Sequence, residues 1–319
     1  MADTPTAIPP LWARIIGAIF IGTISAALSY WKHLSIDTTF TDIPWAINAA
    51  RDLMRHVDPY QYDYSTGIIP YPLTAAVVVF PFALLPGSLS LATLTGLACG
   101  LVAFGLTRGG EYWRLMLFVS PSYIMAIHTA QWSPIFVAAY LFPALLPVVV
   151  AKPTLALPIL LSSRWRWFSV AGIAAIIGLS LLIMPSWPWR WLSQTGRYEG
   201  FVPLLSPLGP FLLMSLLAWR RPSARLLSLM SITIQHQLFY DQLLIWLIPQ
   251  SFRQMLVLTI PAWAVFLYVR LVYVSFWGSG PYILAGVYLP ALLLILWQDR
   301  GELLQLAERS GLPVNRHKD

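Results

Sequence analysis

Three groups of polar residues interrupt long apolar runs, and each is of a type that does chemistry. Asp42 lies in Thr41-Asp42-Ile43-Pro44, ahead of a helical pattern. Asp is a favoured helix cap, and Pro is tolerated in a first helical turn. The same carboxylate, held at a membrane surface, can take a proton from an incoming hydroxyl. The two roles are compatible. Lys152 sits inside Leu145-Leu146-Pro147-Val148-Val149-Val150-Ala151-Lys152-Pro153-Thr154. A lysine in an apolar, proline-broken segment is costly unless it faces a cavity or an anion. Prolines let helices break where backbone lines a polar space. The spacing predicts two half-helices meeting near Lys152, with the ammonium offered to a lipid phosphate. The plain alternative is a side chain that snorkels to an interface. His236, Tyr240 and Asp241 form the third group. Positions 236 and 240 share one face of a helix. An aspartate in an apolar stretch is either functional or a structural link between helices.

Other residues carry weaker signals. His128-Thr129-Ala130-Gln131-Trp132 follows an apolar run. His128 and Gln131 are either interfacial polar residues or ligands for phosphate or sugar hydroxyls. Asp58-Pro59-Tyr60 reads as turn chemistry. Asp37 and Asp63 read as solvated, as do Arg197 and Glu199 after the Trp-rich Trp187–Trp191. The 5 histidines have no ligand spacing, and the single cysteine, Cys99, reads as packing. No metal centre or disulfide is therefore expected. There is no phosphate loop, dinucleotide fingerprint or nucleophile elbow.

These residues must be positioned by membrane helices. The chain has 319 residues, of which 58% are hydrophobic and only 10% charged. A soluble domain carries about 25% charged residues. With a mean hydropathy of +0.68 and 15 Trp, the composition predicts a polytopic membrane protein. It excludes most soluble enzyme folds, a disulfide-built domain and a disordered chain. The net charge of +7 falls in short clusters between apolar runs, as topology signals do, and no nucleic-acid partner is implied.

Spans are expected at Leu11–Tyr30, Ser88–Thr107, Tyr112–Ile127, Trp167–Pro185, Pro203–Trp219, Arg253–Ser275 and Pro281–Trp297. Two apolar regions, Pro134–Leu161 and Leu226–Pro249, are interrupted. The fold class is all-α, a polytopic bundle of about 10–11 membrane helices, some broken or short. Leu11–Tyr30 reads as a retained first helix rather than a cleaved signal. The positive-inside rule puts both termini, including residues 299–319, in the cytoplasm, and residues 31–87 outside. In that external segment Ile43, Ile47, Ala50, Leu53, Met54 and Val57 recur at helical spacing. Asn48, Arg51, Asp52 and Arg55 take the other face. This predicts an amphipathic helix lying in the interface plane. Tyr60, Tyr62, Tyr64 and Tyr71 then suit the headgroup level. Pro70–Pro86 reads as a juxtamembrane or partly inserted helix. No repeat or linker divides the chain, so residues 1–319 read as one domain.

Taken in order, these elements resemble the integral-membrane GT-C glycosyltransferases. They are most similar to glycosyltransferase family 87, the polyprenyl-phosphate-mannose-dependent mannosyltransferases. That family has an Asp after the first helix, then Asp-Pro-Tyr, then Tyr-Pro-Pro. Here stand Asp42, Asp58-Pro59-Tyr60 and Tyr71-Pro72-Leu73, with Leu for the second Pro. The family's Gly-Gln resembles Ala130-Gln131, its lysine–proline break Lys152-Pro153, and its late Tyr-Asp the pair Tyr240-Asp241. The similarity covers roughly residues 11–250.

The resemblance implies transfer of a sugar, mannose by family default, from a polyprenyl-phosphate donor to a lipid or glycan acceptor. The reaction would be inverting and would occur at the outer face of the plasma membrane. Asp42 would be the general base. Lys152, His128, Gln131, His236, Tyr240 and Asp241 would bind the donor phosphate and sugar. Asp58, Tyr60, Tyr71 and Arg197 would contact the acceptor or the loop. The lipid-linked sugar is a co-substrate, and neither a cofactor nor a divalent metal is indicated. Membrane lipids are the other expected partners, and the oligomeric state is open. Two other classes stay open. One is a secondary transporter or flippase of a lipid-linked or anionic substrate. The other is a non-catalytic membrane scaffold.

Overall fold

A computed structural model describes residues 10–35, 42–61, 70–197, 200–273 and 278–300. Asp37, Tyr62, Asp63, Tyr64, Glu199, the side chain of Arg197 and residues 301–319 lie outside the described residues. The described chain is helical, with one isolated antiparallel bridge, Phe201 to Gln235, and no strand among the described residues. Four of the described helices are long and apolar enough to cross a bilayer: Leu11–Leu34, Gly87–Leu106, Phe252–Val272 and Gly280–Gln298. The chain divides into two compact units. The first holds residues 1–200 and Leu238–Leu244, the second Phe201–Gln237 and residues 245–319.

The first unit begins with α1 (Leu11–Ser35), α2 (Asp42–Met54), α3 (Leu73–Ala83) and α4 (Gly87–Leu106). Helix α1 packs along α4 through small residues. A Cβ on Gly22 would meet the Gly96 carbonyl oxygen at 2.7 Å. One on Gly96 would meet the Gly22 carbonyl oxygen at 2.9 Å and Ala26 Cβ at 2.8 Å. Gly96 and Gly100 are four residues apart, as are Ala18, Gly22 and Ala26, so one small seam runs down each helix and the backbones approach closely. The opposite face of α1 exposes Trp12, Ile16, Ile19, Phe20 and Trp31.

Helix α2 departs from its expected form. Ile43, Ile47 and Ala50 of its apolar stripe are buried, but so are Pro44, Trp45 and Ala49 on the other side, while Leu53 is half-buried and Met54 exposed. The first turns are enclosed by protein, against α3 among others. The helix ends at Met54, and His56 turns left-handed at φ 57°. Arg51, expected on a free polar face, instead spans to α3 and α4. Its guanidinium donates to the Ala83 and Leu85 carbonyls and to Ser90 Oγ, at 3.2, 2.7 and 2.9 Å. It thereby satisfies carbonyls that the end of α3 leaves open. Helix α3 has 11 residues. At about 1.5 Å each it covers roughly half a hydrocarbon core.

Prolines break the expected spans. Tyr112–Ile127 divides at Ser120-Pro121 into a 3-10 helix, Tyr112–Val119, and α5 (Pro121–His128). Pro134–Leu161 becomes α6 (Ser133–Leu141), a 3-10 helix Pro143–Ala151, and α7 (Pro153–Ser162). Proline has no N–H to donate and pushes the residue before it out of the helical region. Helix α8 (Trp167–Ile183) is a continuous apolar helix of 17 residues, followed by α9 (Trp187–Leu192).

The second unit contains α10 (Pro222–Ile232), α11 (Phe252–Tyr268), α12 (Gly280–Ile283) and α13 (Leu289–Gln298). The expected span Pro203–Trp219 is two 3-10 pieces, Pro203–Leu205 and Gly209–Ala218. Segments of π-helix follow α11 (Val269–Tyr273) and join α12 to α13 (Leu284–Tyr288). A salt bridge joins Arg221 Nε to the buried Asp299 Oδ1 at 2.6 Å.

The small-residue seam makes a direct prediction. Gly96→Leu must push α1 off α4 and should lower stability by about 1–3 kcal/mol, measured by denaturant unfolding in detergent. Gly17 is the control on the same helix. A Cβ added there would meet nothing within 4 Å, so Gly17→Ala should not destabilise.

Candidate functional site

Three of the charged residues singled out in the sequence meet at one nitrogen. Lys152 Nζ lies 3.1 Å from Asp42 Oδ2 and 2.8 Å from Asp241 Oδ1. Lys152 is 3% exposed and Asp241 0%. The Asp42 side chain, at 16%, is the most accessible of the three. The ammonium also lies 5.0 Å from the centre of the Tyr240 ring, over its electron-rich face. Two carboxylates thus stand against one ammonium, and the cluster has a formal charge of −1 when all three are ionised.

Each member is placed by local backbone chemistry. Pro153 opens α7 at a position where its missing N–H costs nothing. It also forces Lys152 into an extended conformation, with φ −138° and ψ 92°. The two half-helices expected at Lys152 are therefore present. Thr74 of α3 holds the turn from the side, its hydroxyl donating to the Val150 carbonyl at 2.7 Å. Asp42 is the first residue of α2, where the helix dipole favours a carboxylate. The Ile43 N–H donates to the Ala130 carbonyl at 3.2 Å, which docks the start of α2 on the turn between α5 and α6. Ala130 is left-handed there, with φ 51°. Phe239, fully buried, is left-handed too, with φ 65°, immediately before Tyr240 and Asp241. Such backbone costs about 1–3 kcal/mol and persists only where its surroundings over-determine it.

That backbone corrects one expectation. His236 and Tyr240 do not share a helix face, because the chain between them is irregular and bends at Phe239. Tyr240 and Asp241 start a 3-10 helix and belong to the first unit, whereas His236 is half-buried in the second. His128 is exposed at the end of α5. Gln131 is buried beside the docked turn, and its amide Nε2 donates to the Thr129 carbonyl at 3.0 Å.

An aromatic wall adjoins the start of α2. Trp45 packs on Tyr60 and Tyr71, with ring centres 5.9 and 6.0 Å apart. Tyr71 lies 6.4 Å from Trp132, which stacks on Phe136 at 6.0 Å. Tyr60 is buried, and its hydroxyl donates to the Tyr71 carbonyl at 2.7 Å. Asp58 does turn chemistry, accepting from the Tyr60 N–H at 2.9 Å and pairing with Arg190 of α9. Trp191 Nε1 donates to the Pro70 carbonyl at 3.1 Å. Helix α9 thus clasps both ends of the segment between Tyr60 and Tyr71.

Among the described residues no group of three or more His, Cys, Asp or Glu is placed to hold a metal ion. No protein family, curated protein or solved structure matches the chain.

Two stability outcomes follow. Lys152→Met leaves two carboxylates without their cation and should cost about 3–5 kcal/mol, whereas the double variant Lys152→Met/Asp241→Leu should be less destabilised. Comparing unfolding midpoints of the two variants checks this. At Ala130 a glycine removes the left-handed penalty, so Ala130→Gly should stabilise by about 1 kcal/mol by the same measurement.

Proposed function

We propose that the protein is a membrane glycosyltransferase that moves a sugar from a polyprenyl-phosphate donor to a hydroxyl acceptor, with Asp42 as general base. The observation that carries this reading is the meeting of Asp42, Lys152 and Asp241 at one buried nitrogen. The resemblance drawn from the sequence supports it. So does the left-handed φ of Ala130, which stands where the family's motif has glycine, the residue suited to that conformation.

A lipid phosphate is a good leaving group and needs no proton, so one carboxylate is enough, unlike the paired carboxyl groups of a glycosidase. Asp42 is the most accessible member of the cluster and takes the proton of the acceptor hydroxyl as that oxygen attacks the anomeric carbon. Attack from the face opposite the phosphate inverts the configuration. Lys152 holds Asp42 in place, and Asp241 supplies the second half of the charge that the buried ammonium needs. The ammonium is already engaged by two carboxylates, so its part is to orient the base more than to bind phosphate. The sugar is mannose by resemblance, and the outer membrane face is the proposed location.

The break at Lys152 also suits a carrier, which would move the lipid without cleaving it. The test is to incubate the purified protein with short-chain polyprenyl-phosphate sugars and a membrane lipid extract. Release of prenyl phosphate supports the transferase, and movement of intact donor across proteoliposomes supports the carrier. Asp42→Asn should keep its fold by circular dichroism and lower turnover about 10²–10⁴-fold. Unchanged turnover would remove Asp42 from the mechanism. A scaffold would tolerate neutralising Asp42, Lys152 and Asp241 together.

A further inference from the structure

Immediately after Ala130, three consecutive side chains carry buried polar atoms without a partner. Gln131 is 5% exposed, Trp132 0% and Ser133 1%. Gln131 Oε1, Trp132 Nε1 and Ser133 Oγ make no hydrogen bond among the described residues. A buried donor or acceptor left unpaired carries its full desolvation penalty. Each such group calls for an explanation. Here three fall in three residues, beside a strained turn that is bonded to the residue following Asp42.

The donor and acceptor types select the ligand. Trp132 Nε1 only donates, the free Gln131 Oε1 only accepts, and the Ser133 hydroxyl does both. A phosphate, which offers acceptors, would leave Gln131 Oε1 unanswered. It would also stand close to a cluster whose formal charge is −1. Sugar hydroxyls both donate and accept, carry no charge and suit aromatic surroundings. Trp132 lies between Phe136 and Tyr71, and Tyr71 packs on Trp45, one turn beyond Asp42. Tyr71 is half-buried and Asp42 partly exposed.

We infer that Gln131, Trp132 and Ser133 form a subsite for the hydroxyl groups of the transferred sugar, separate from whatever binds the lipid phosphate. This rests on the glycosyltransferase reading and adds to it the residues that recognise the sugar. Such a site has a recognisable cost. In the free protein the orphaned groups destabilise the fold, so removing them should be neutral or stabilising while recognition is lost.

The test measures binding, apart from turnover, by calorimetry on the purified full-length protein. The probes are farnesyl phosphate and mannosyl-phosphoryl farnesol. The variants are Trp132→Phe, which keeps an aromatic ring and drops the N–H, Gln131→Met and Ser133→Ala. Wild type should bind the sugar-bearing lipid more tightly than the bare one. Each variant should reduce that advantage about tenfold, leave farnesyl phosphate affinity unchanged, and unfold at the same or a higher temperature. If both lipids bind wild type and the variants keep the full advantage, the subsite is overturned and bound water satisfies these groups. If wild type binds neither lipid, the glycosyltransferase reading is itself overturned.

Discussion

A lysine ammonium taken out of water must be compensated where it stands. Desolvating such an ion costs several kcal/mol, and only close, well-placed partners offset it. Much of the first unit can be understood as meeting that demand for Lys152. One carboxylate comes from the start of a helix, where the dipole already favours it. The other comes from a segment bent into place by a left-handed phenylalanine. Pro153 takes the lysine out of helical geometry and fixes where its side chain departs. The result is a charge cluster buried at two of its members and open at the third.

The surroundings of the cluster are tied together by hydrogen bonds and close packing. Arg51 ties α2 to the end of α3 and the start of α4, and Thr74 ties α3 to the turn before Lys152. Helix α1 is locked to α4 by contacts too close for a side chain larger than hydrogen at Gly22 or Gly96. Strained backbone sits within this frame. The left-handed Ala130 and Phe239 flank the cluster, and a looser frame would let both relax.

The parts of this arrangement differ in how legible they are in the sequence. Charges among apolar residues are conspicuous, so Asp42, Lys152 and Asp241 can be singled out one by one. Their mutual contact cannot, because separations of 110 and 89 residues leave no periodic trace. The break at Lys152 is legible because proline acts locally. The same property splits Tyr112–Ile127 and Pro203–Trp219, where counting apolar residues suggests unbroken spans. The apolar stripe of α2 is legible, but the burial of Trp45 on its other side depends on Tyr60 and Tyr71 from elsewhere in the chain. Nothing marks Phe239 as left-handed, since bulky residues rarely adopt that backbone, and so the pairing of His236 with Tyr240 looks sound until the bend is seen. Trp132 and Ser133 are not singled out by the sequence, and only buried polar atoms without a hydrogen bond among the described residues set them apart.

The order of synthesis gives the short segment Leu238–Leu244 a second significance. It belongs to the first unit, yet the ribosome makes it only after residues 201–237 of the second. A nascent chain can bring Asp42 to Lys152 long before Asp241 exists, and through that interval the ammonium has half of its final compensation. The last carboxylate to emerge therefore completes the compensation of Lys152. A chain cut short ahead of Asp241 would leave the buried Lys152 with one carboxylate partner in place of two.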